Sequence, residues 1–351
     1  MRVVCAGGDP GGSRCVLAVA ALLAELGDEV HVMNYGFLGR ESAHFPVHLV
    51  AEDAFSTQGM DCFCYGSSST DTYALQLSEQ ALVRGIPVVH VCDNWSSYRK
   101  RITLGDRMLA PDVYCCMDQH ALQDAIQEGI PPESLVVTGQ PALARDLEEA
   151  STKRHDPVLR QRYARSGHPV FVFVSEPYRK VMGADTARPD HCGFTEYEVL
   201  PAFADALRHI CPEAFVYILP HPKHDKGEME QLWEAVRGNL HGEVVHSPLP
   251  RDLFAAACGF AGMGSILLYE AWVLGYPVLS LQPDCRIQGM RRFAQLEHGC
   301  YASDTQLIPQ QLAIWYQRCL DGVGPPRPEY AIHRQSTRKI AEIIHSLHNQ
   351  R

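Results

Sequence analysis

Three residues that could bind an anion stand close together in the last third of the chain: Gly264, Ser265 and Glu270. They fall in the segment 258–283, CGFAGMGSILLYEAWVLGYPVLSLQP, which predicts a short strand, a glycine turn, an apolar helix and a second strand. Ser265 can cap the helix, and glycine lets a ligand approach the backbone closely. Because free N–H groups and the positive end of the helix dipole point out of such a turn, we expect Met263, Gly264 and Ser265 to bind phosphate.

Glu270 is the one charged residue of this predicted helix. Apolar residues on all its sides predict that the helix is buried, and a buried carboxylate is costly without hydrogen-bond donors. A ribose diol held one turn below a bound phosphate would supply two hydroxyl donors. A Lys or Arg from a neighbouring element would also satisfy the carboxylate, so both interpretations stay open.

Two other predicted strands of the second half also end in polar residues. Ser175 follows the strand 169–174, and the strand 215–219 ends in Pro-His-Pro-Lys-His. His221 could donate a hydrogen bond or a proton to a phosphate, and Lys223 would add positive charge. The alternatives are a two-histidine metal site with His224, which lacks a third ligand nearby, and a histidine bonded only to backbone.

A glycine loop, GGDPGGS, follows the first predicted strand. The dinucleotide fingerprint would need glycine where Asp9 stands, and the P-loop would need lysine where Ser13 stands. What remains is a close-approach turn in which Gly11, Gly12 and Ser13 could face a ligand. Asp9 could then act as a general base or bind a hydroxyl, or it could simply cap the following turn.

The segment 92–101, CDNWSSYRKR, follows another buried strand. Asp93 is a second candidate base. Trp95 would offer a flat apolar face to a pyranose ring, and Arg99 or Arg101 of the basic cluster over 99–101 would pair with an anionic acceptor. The alternative is a loop whose Asn or Ser side chain caps a surface helix.

Alternating strands and helices across the chain predict parallel sheets covered by helices on both faces, with ligands beyond the carboxyl ends of the strands. The length of 351 residues suits two domains. We predict a first domain over 1–150, a charged linker over 151–168, a second domain over 169–328 and a closing helix over 329–351 that packs back on the first domain.

Charge and composition exclude several classes of protein. The net charge of −10 argues against nucleic-acid binding, and no apolar run is long enough for a transmembrane helix. The sequence starts directly with a predicted strand, so we expect no signal peptide. Thirteen irregularly spaced cysteines suit a reducing compartment, and the absence of Cys-x-x-Cys argues against a bound metal. We therefore expect no cofactor and a cytoplasmic location, free or peripheral at the inner membrane face.

Two motifs resemble a known superfamily. The run Val-Thr-Gly-Gln-Pro over 137–141 resembles the end of the first domain in sugar-nucleotide enzymes of the glycosyltransferase-B (GT-B) superfamily, which includes the non-hydrolysing UDP-N-acetylglucosamine 2-epimerases. The His-Pro pair and the segment 262–283 are similar to the donor site of bacterial polysaccharide transferases. The resemblance implies two Rossmann-like domains that face a central cleft, the second of which binds the nucleotide sugar.

The resemblance also implies roles for further residues. Leu249 would lie under the nucleotide base, Asp284 and Gln288 would contact the sugar or phosphate, and Gln140 would belong to the acceptor side. The departing phosphate would be held by His221 and the glycine turn, while an Asp deprotonates the acceptor.

The function implied is that of a metal-independent glycosyltransferase of surface-polysaccharide biosynthesis. It would move a sugar from a nucleotide-sugar donor to a hydroxyl acceptor that is anionic or lipid-linked. A 2-epimerase or hydrolase of the same fold and a non-catalytic scaffold protein are the alternatives.

Overall fold

The computed structural model describes residues 1–42, 46–66, 71–246 and 250–350. The chain divides into two compact units, the first made of Met1–Asp146 together with Pro328–Arg351 and the second of Leu147–Arg327. No helix within the described ranges is long and apolar enough to cross a membrane.

Among the described residues of the first unit, seven parallel strands form one sheet. They are β1 (Arg2–Ala6), β2 (Glu29–Met33), β3 (His48–Val50), β4 (Cys62–Tyr65), β5 (Val88–Val91), β8 (Val113–Cys116) and β9 (Leu135–Val137), and a short antiparallel pair, β6 (Thr103–Leu104) and β7 (Arg107–Met108), precedes β8. The helices between them are α1 (Pro10–Glu25), α2 (Gly36–Ser42), α3 (Tyr73–Val83) and α4 (Gln119–Gln127). Helix α5 (Pro141–Lys153) then leads into the second unit.

The second unit has the same organisation, with a parallel sheet of six strands in the part of the chain that the structure describes. Its strands are β10 (Val170–Val174), β11 (Phe215–Leu219), β12 (His241–Val244), β13 (Gly259–Gly262), β14 (Val278–Leu281) and β15 (Cys300–Ala302). Its helices are α6 (Pro157–Tyr163), α7 (Tyr178–Met182), α8 (Glu196–Ile210), α9 (Glu228–Val236), α10 (Ile266–Val273) and α11 (Ile308–Asp321). Short 3-10 turns occupy Pro250–Ala255 and Gln288–Gln295.

Strand order is the same in both sheets. It runs β3-β2-β1-β4-β5-β8-β9 in the first and β12-β11-β10-β13-β14-β15 in the second, so each follows the doubly wound order 3-2-1-4-5-6. This confirms the predicted fold class of two doubly wound α/β domains. The order reverses between β1 and β4 and between β10 and β13, and in sheets of this kind ligands bind beyond the carboxyl ends of the strands at such a reversal.

The last helix, α12 (Pro328–Asn349), belongs to the first unit. Its buried face, with Ile340, Ala341 and Ile344, joins the apolar core that β1 and α1 share. Lys339 donates from Nζ to the carbonyl of Val137 at 2.6 Å. The helix is therefore held by both apolar packing and hydrogen bonds.

The structure differs from the predicted linker over 151–168. Helix α5 continues to Lys153, α6 follows, and this whole stretch lies in the second unit. Arg160 donates from Nε to the carbonyl of Ala255 at 3.1 Å, and the carbonyl of Tyr163 accepts a bond from the hydroxyl of Tyr217 at 3.0 Å. The segment is poor in apolar residues because it is fixed mainly by hydrogen bonds rather than by a broad apolar face.

Candidate functional site

The candidate site lies in the second unit, where the strand order reverses between β10 and β13. The turn after β13 leaves Gly264 exposed, directly before α10. Ser265 caps this helix, with its Oγ accepting the N–H of Leu267 at 3.4 Å. The helix is otherwise apolar and buried because it passes through the core, so its accessible part is the amino-terminal end, where N–H groups and the dipole favour an anion.

A carboxyl group faces this helix end from the neighbouring strand. Glu176 follows β10 and is partly buried, and the hydroxyl of Ser265 hydrogen-bonds with its side chain. Burial raises the pKa of Glu176 to about 7, although the Ser265 bond and the charges of His224 and Lys223 oppose the shift. Glu176 therefore exchanges a proton near neutral pH, as acid–base groups in active sites do.

His221, which follows β11, has a defined tautomer. Its Nδ1 accepts the backbone N–H of Lys223 at 3.1 Å, so the neutral ring carries its proton on Nε2. Burial and then the positive charges of Lys223 and His224 lower the pKa of His221. At neutral pH the His221 ring is consequently uncharged and can donate one hydrogen bond from Nε2.

A buried pair of opposite charges stands behind this loop. Nε2 of His224 and Oε1 of Glu196 are 3.7 Å apart, both side chains are almost fully buried, and neither atom has a hydrogen-bond partner. Burial disfavours the imidazolium, but the carboxylate of Glu196 outweighs it and raises the pKa of His224. Glu196 thus favours the charged form of His224, and the negative charge of Glu196 balances the positive charge of that form.

Two further side chains close around the glycine. A methyl group on Gly264 would lie 3.1 Å from Nε2 of Gln282 and 3.2 Å from the hydroxyl of Tyr178. Gln282 is fully buried and donates from Nε2 to the carbonyl of Met263 at 3.2 Å, while its Oε1 has no partner. Met263, which was predicted to bind phosphate together with Gly264 and Ser265, is buried. Its side chain therefore supports the turn and does not face outward.

This arrangement combines positive potential with proton donors. The helix end and Lys223 favour an anion, and Glu176, His221 and Ser265 offer O–H or N–H groups. A cavity of about 230 Å³ adjoins it, lined by residues of the 220–230 loop and by His246. Within the described ranges, no group of three or more His, Cys, Asp or Glu side chains is arranged to hold a metal ion.

Glu270 has a protein partner. Its two carboxylate oxygens accept bonds from Nε and Nη2 of Arg251 at 2.9 and 2.8 Å. Arg251 also lies 3.8 Å from Glu149, which pairs with Lys153, and Lys153 pairs with Asp252. Of the two interpretations that the sequence leaves open, the arginine partner is present in the structure, and the buried charge therefore needs no ribose to satisfy it. Glu270 belongs to an ion-pair network that ties α5 and the turn at 250–255 to α10.

The other predicted residues of the second unit are dispersed. Ser175 is buried, and its hydroxyl faces the sulfur of Met229 at 3.7 Å, so it does not reach the helix end. Asp284 and Gln288 are exposed beyond β14, and Asp284 has a left-handed backbone (φ 56°) and lines a separate cavity of about 1000 Å³. Leu249 lies outside the described residues.

In the first unit, the glycine loop packs against its neighbour instead of opening a phosphate cradle. A methyl group on Gly12 would lie 2.8 Å from the backbone of Gly66, which follows β4. Ser13 is buried and donates from Oγ to the carbonyl of Gly7 at 2.8 Å. Asp9 stands at the start of α1, and its side chain makes no capping bond to that helix. The structure thus gives Gly12 and Ser13 structural contacts.

The second predicted base of this unit is ion-paired. Asp93 pairs with the buried Arg101, and a methyl group on Gly11 would collide with its carboxylate. Gln140 donates from Nε2 to the carbonyl of Asp93 at 2.7 Å. The carboxylate of Asp93 is therefore fixed by Arg101. The positive charge of Arg101, which was predicted to pair with an anionic acceptor, pairs with Asp93 instead.

Trp95 and Arg99 differ in exposure. Trp95 is buried and donates from Nε1 to Asp118 at 2.8 Å, which corrects the prediction of an exposed ring face for a sugar. Arg99 is exposed and lines a cavity of about 520 Å³ with Asp71 and Glu128.

Sequence reasoning missed Glu176, Glu196 and Asp71. Glu176 follows a central strand exactly as His221 and Gly264 do, and this shared position was the available indication. Asp71 accepts bonds from the N–H of Gly8 at 2.7 Å and from the hydroxyl of Tyr35 at 3.0 Å, which no spacing in the sequence indicates.

No protein-family model and no curated protein matches this chain. Solved structures resemble it over their whole length. The UDP-GlcNAc 2-epimerase of Neisseria meningitidis bound to UDP-GlcNAc has a TM-score of 0.65 at 13% identity, over 99% of this chain and 100% of that one. The epimerase of Methanocaldococcus jannaschii has a TM-score of 0.66 at 11% identity, over 98% and 100%. Anabaena HepE in complex with UDP has a TM-score of 0.59 at 15% identity, over 100% and 98%.

The chain has the GT-B fold. This confirms the resemblance expected from the two sequence motifs. In terms of the GT-B fold, the site built from Glu176, His221 and Gly264 lies at the carboxyl edge of the second Rossmann-like sheet. The resemblance is at the level of fold, since the identities are between 11% and 15%.

Proposed function

We propose that the second unit binds a nucleotide sugar with its phosphates at the amino-terminal end of α10, and that the protein breaks the bond between the sugar and the phosphate. The observation that carries this proposal is the cluster around the exposed Gly264. Ser265 at the open helix end hydrogen-bonds with Glu176, the charge of Lys223 acts on the same carboxyl, and the loop after β11 offers the Nε2 proton of His221. The UDP and UDP-GlcNAc bound to solved proteins of the same fold support the choice of ligand.

The same groups suit the chemistry of bond breaking. As the carbon–oxygen bond at the sugar C1 breaks, negative charge grows on the departing phosphate and positive charge on the sugar ring. Fixed donors and a helix dipole aimed at that phosphate stabilise the transition state more than the ground state. The neutral His221 contributes a hydrogen bond from Nε2, and Glu176 a proton that it can release near neutral pH.

Transfer to a hydroxyl acceptor and 2-epimerisation share this first step. The epimerase candidate is favoured by full-length likeness to the epimerases of two organisms. The transferase candidate depended on a basic cluster for an anionic acceptor, and Arg101 of that cluster is paired with Asp93. The exposed Arg99 and its cavity remain as support for an acceptor site.

Binding is tested by isothermal titration with UDP-GlcNAc, GDP-mannose and CMP-sialic acid. We expect one of them to bind, and we expect Lys223→Gln to weaken it about 5- to 50-fold, as loss of a charged contact of 1–2.3 kcal/mol does. The control is Lys339→Gln, which removes an exposed lysine of α12 in the first unit, away from this site. No binding of any of the three, or equal effects of the two substitutions, would overturn the proposal.

The reaction is tested by analysing products without an acceptor. Free nucleotide with a C2-epimerised or hydrolysed sugar indicates the epimerase or hydrolase. Turnover only when a hydroxyl acceptor is added indicates the transferase. Binding without turnover in both conditions indicates a non-catalytic scaffold.

A further inference from the structure

We infer that Glu176 binds the phosphate of the nucleotide sugar as a neutral carboxylic acid, so that ligand binding takes up a proton. This inference rests on the proposed function and specifies how the site accepts its ligand. It concerns a residue that the sequence motifs do not include.

Because of its position, Glu176 must be protonated to bind a phosphate favourably. It follows β10, whose Val174 pairs with Gly262 of β13, so its side chain and the turn at Gly264 lie at adjacent strand ends. The hydroxyl of Ser265, which caps α10, bonds with the Glu176 carboxyl. A phosphate at this helix end would therefore meet Glu176 directly, and a carboxylate would repel it.

A proton on Glu176 removes this conflict. The neutral group has an O–H that donates to a phosphate oxygen, whereas the carboxylate only accepts. The amide of the buried Gln282 lies beside Gly264 with its Nε2, and its Oε1 has no partner. As an acceptor, this Oε1 would take a hydrogen bond from a hydroxyl of the sugar and not from the phosphate.

The charged groups around Glu176 and its burial determine how its protonated and ionised forms are balanced. Glu196 of α8 favours the protonated form, His224 and Lys223 of the loop after β11 favour the carboxylate, and burial has the largest effect, leaving the pKa about 7. Tyr178 of α7 also faces it, and burial and then the Glu176 charge raise the pKa of that phenol, so it stays neutral. A bound phosphate adds negative charge, which raises the pKa of Glu176 further and drives proton uptake.

The direct measurement is the number of protons taken up on binding. Titration calorimetry at pH 7 in buffers of different ionisation enthalpy gives this number for the tightest-binding of UDP-GlcNAc, GDP-mannose and CMP-sialic acid. These ligands are phosphate diesters, so unlike free UDP they have no phosphate that titrates near pH 6. We expect uptake of up to about 0.5 proton at pH 7, because half of the free protein carries the carboxylate, and almost none at pH 5.5.

The affinity for the nucleotide sugar should depend on the protonation of Glu176 as well. If the neutral form alone binds, the wild-type dissociation constant rises about 30-fold from acidic pH to pH 8.5. Glu176→Gln keeps the shape and a hydrogen-bond donor, so we expect affinity that is independent of pH over this range, and most of the proton uptake lost. Glu234→Gln, an exposed glutamate of α9, is the control and should behave as wild type.

Two variants distinguish proton uptake by Glu176 from proton uptake by the imidazoles of His221 and His224. Glu176→Gln leaves both rings in place, and His224→Gln should retain pH-dependent binding. Binding without proton uptake by the wild type, or uptake unchanged in Glu176→Gln, would contradict this inference and leave the proposed function standing. Absence of binding by all three ligands would instead contradict the proposed function.

Discussion

The buried pair of His224 and Glu196 makes the stability of the protein depend on pH. The pKa of His224 is raised above its ordinary value of 6.5, so the pair contributes its full stabilisation below pH 6.5 and loses it as pH rises through the raised pKa. Each unit of that shift corresponds to about 1.4 kcal/mol. Glu196→Gln should therefore reduce the free energy of unfolding more at pH 6 than at pH 9, as measured by urea denaturation.

Asp205→Asn provides the comparison for this pair. Asp205 forms an exposed ion pair with Arg208 on the same helix, α8, so its replacement should cost less than about 1 kcal/mol at either pH. An equal loss in Glu196→Gln at both pH values would show that His224 does not draw its charge from Glu196.

The ion pair of Arg251 and Glu270 predicts that substitutions of its two residues are not additive in their effect on stability. Glu270 is fully buried, so Glu270→Leu removes the bidentate partner of the partly buried Arg251, which keeps only Glu149 at 3.8 Å, and should cost about 3–5 kcal/mol of unfolding free energy. The double variant Arg251→Met, Glu270→Leu removes both charges and should cost clearly less than the sum of the single changes. A double variant as unstable as the sum would show that the two residues act independently.

Residue roles were the part least accessible to sequence reasoning. The apolar surroundings of Glu270 correctly indicated a buried carboxylate, but its partner comes from a turn that no periodicity connects to α10. Trp95 and Arg101 follow the end of a strand, where the sequence predicts exposed binding residues. In the structure both side chains point inward and are buried. In each case the direction of a side chain depends on tertiary contacts that spacing does not encode.

At the scale of elements, two glycines before helices differ in what surrounds them. A methyl group on Gly12 would press on the backbone of Gly66, which cannot move aside, whereas one on Gly264 would meet only the ends of the Gln282 and Tyr178 side chains. Gly12→Ala should thus lower the unfolding free energy by about 1–3 kcal/mol. Gly264→Ala should stay within about 1 kcal/mol of wild type but weaken nucleotide-sugar binding at least about tenfold, by obstructing the helix end.

Thermal unfolding and titration calorimetry on the two alanine variants check this contrast. Loss of stability in Gly264→Ala equal to that in Gly12→Ala would mean that the exposed turn is a packing feature rather than a ligand site.

Most strands and helices could be predicted because their apolar residues repeat with a clear period. Helix α8, for example, buries Leu200, Phe203 and Leu207, and these positions predict a helix over 195–209, one residue from each observed end. Helix α9 was missed because only Met229 and Trp233 are buried on it, which is too few for a period to emerge. Helix α5 was missed because it crosses the boundary between the two units, whereas the sequence was divided into a first domain ending at 150 and a linker beginning at 151.

At the scale of the molecule, α12 connects the end of the described chain to the core of the first unit. Ile344 is fully buried there, whereas Ile332 of the same helix is partly exposed. Ile344→Ala should cost about 2–4 kcal/mol and Ile332→Ala about 1 kcal/mol or less. Hydrogen exchange should then accelerate in β1 and α1 of the Ile344 variant, and faster exchange confined to the second unit would contradict the assignment.

The doubly wound organisation could be predicted as a class because helices and strands alternate throughout. The strand order could not be derived from the alternation, since it depends on which strands pair across distant parts of the sequence. The order matters for function, because it places Glu176 and Gly264 at adjacent strand ends although almost ninety residues separate them.

The return of α12 to the first unit has a consequence for synthesis on the ribosome. Domains of a growing chain commonly fold in the order in which they emerge, but the first unit here lacks a core helix until about 180 further residues have been made. At roughly 5–20 residues per second this delay lasts about 10–40 seconds. The second unit can complete its fold during that interval, while the apolar surface that α12 will cover stays exposed to chaperones. The second unit is thus the first to be finished.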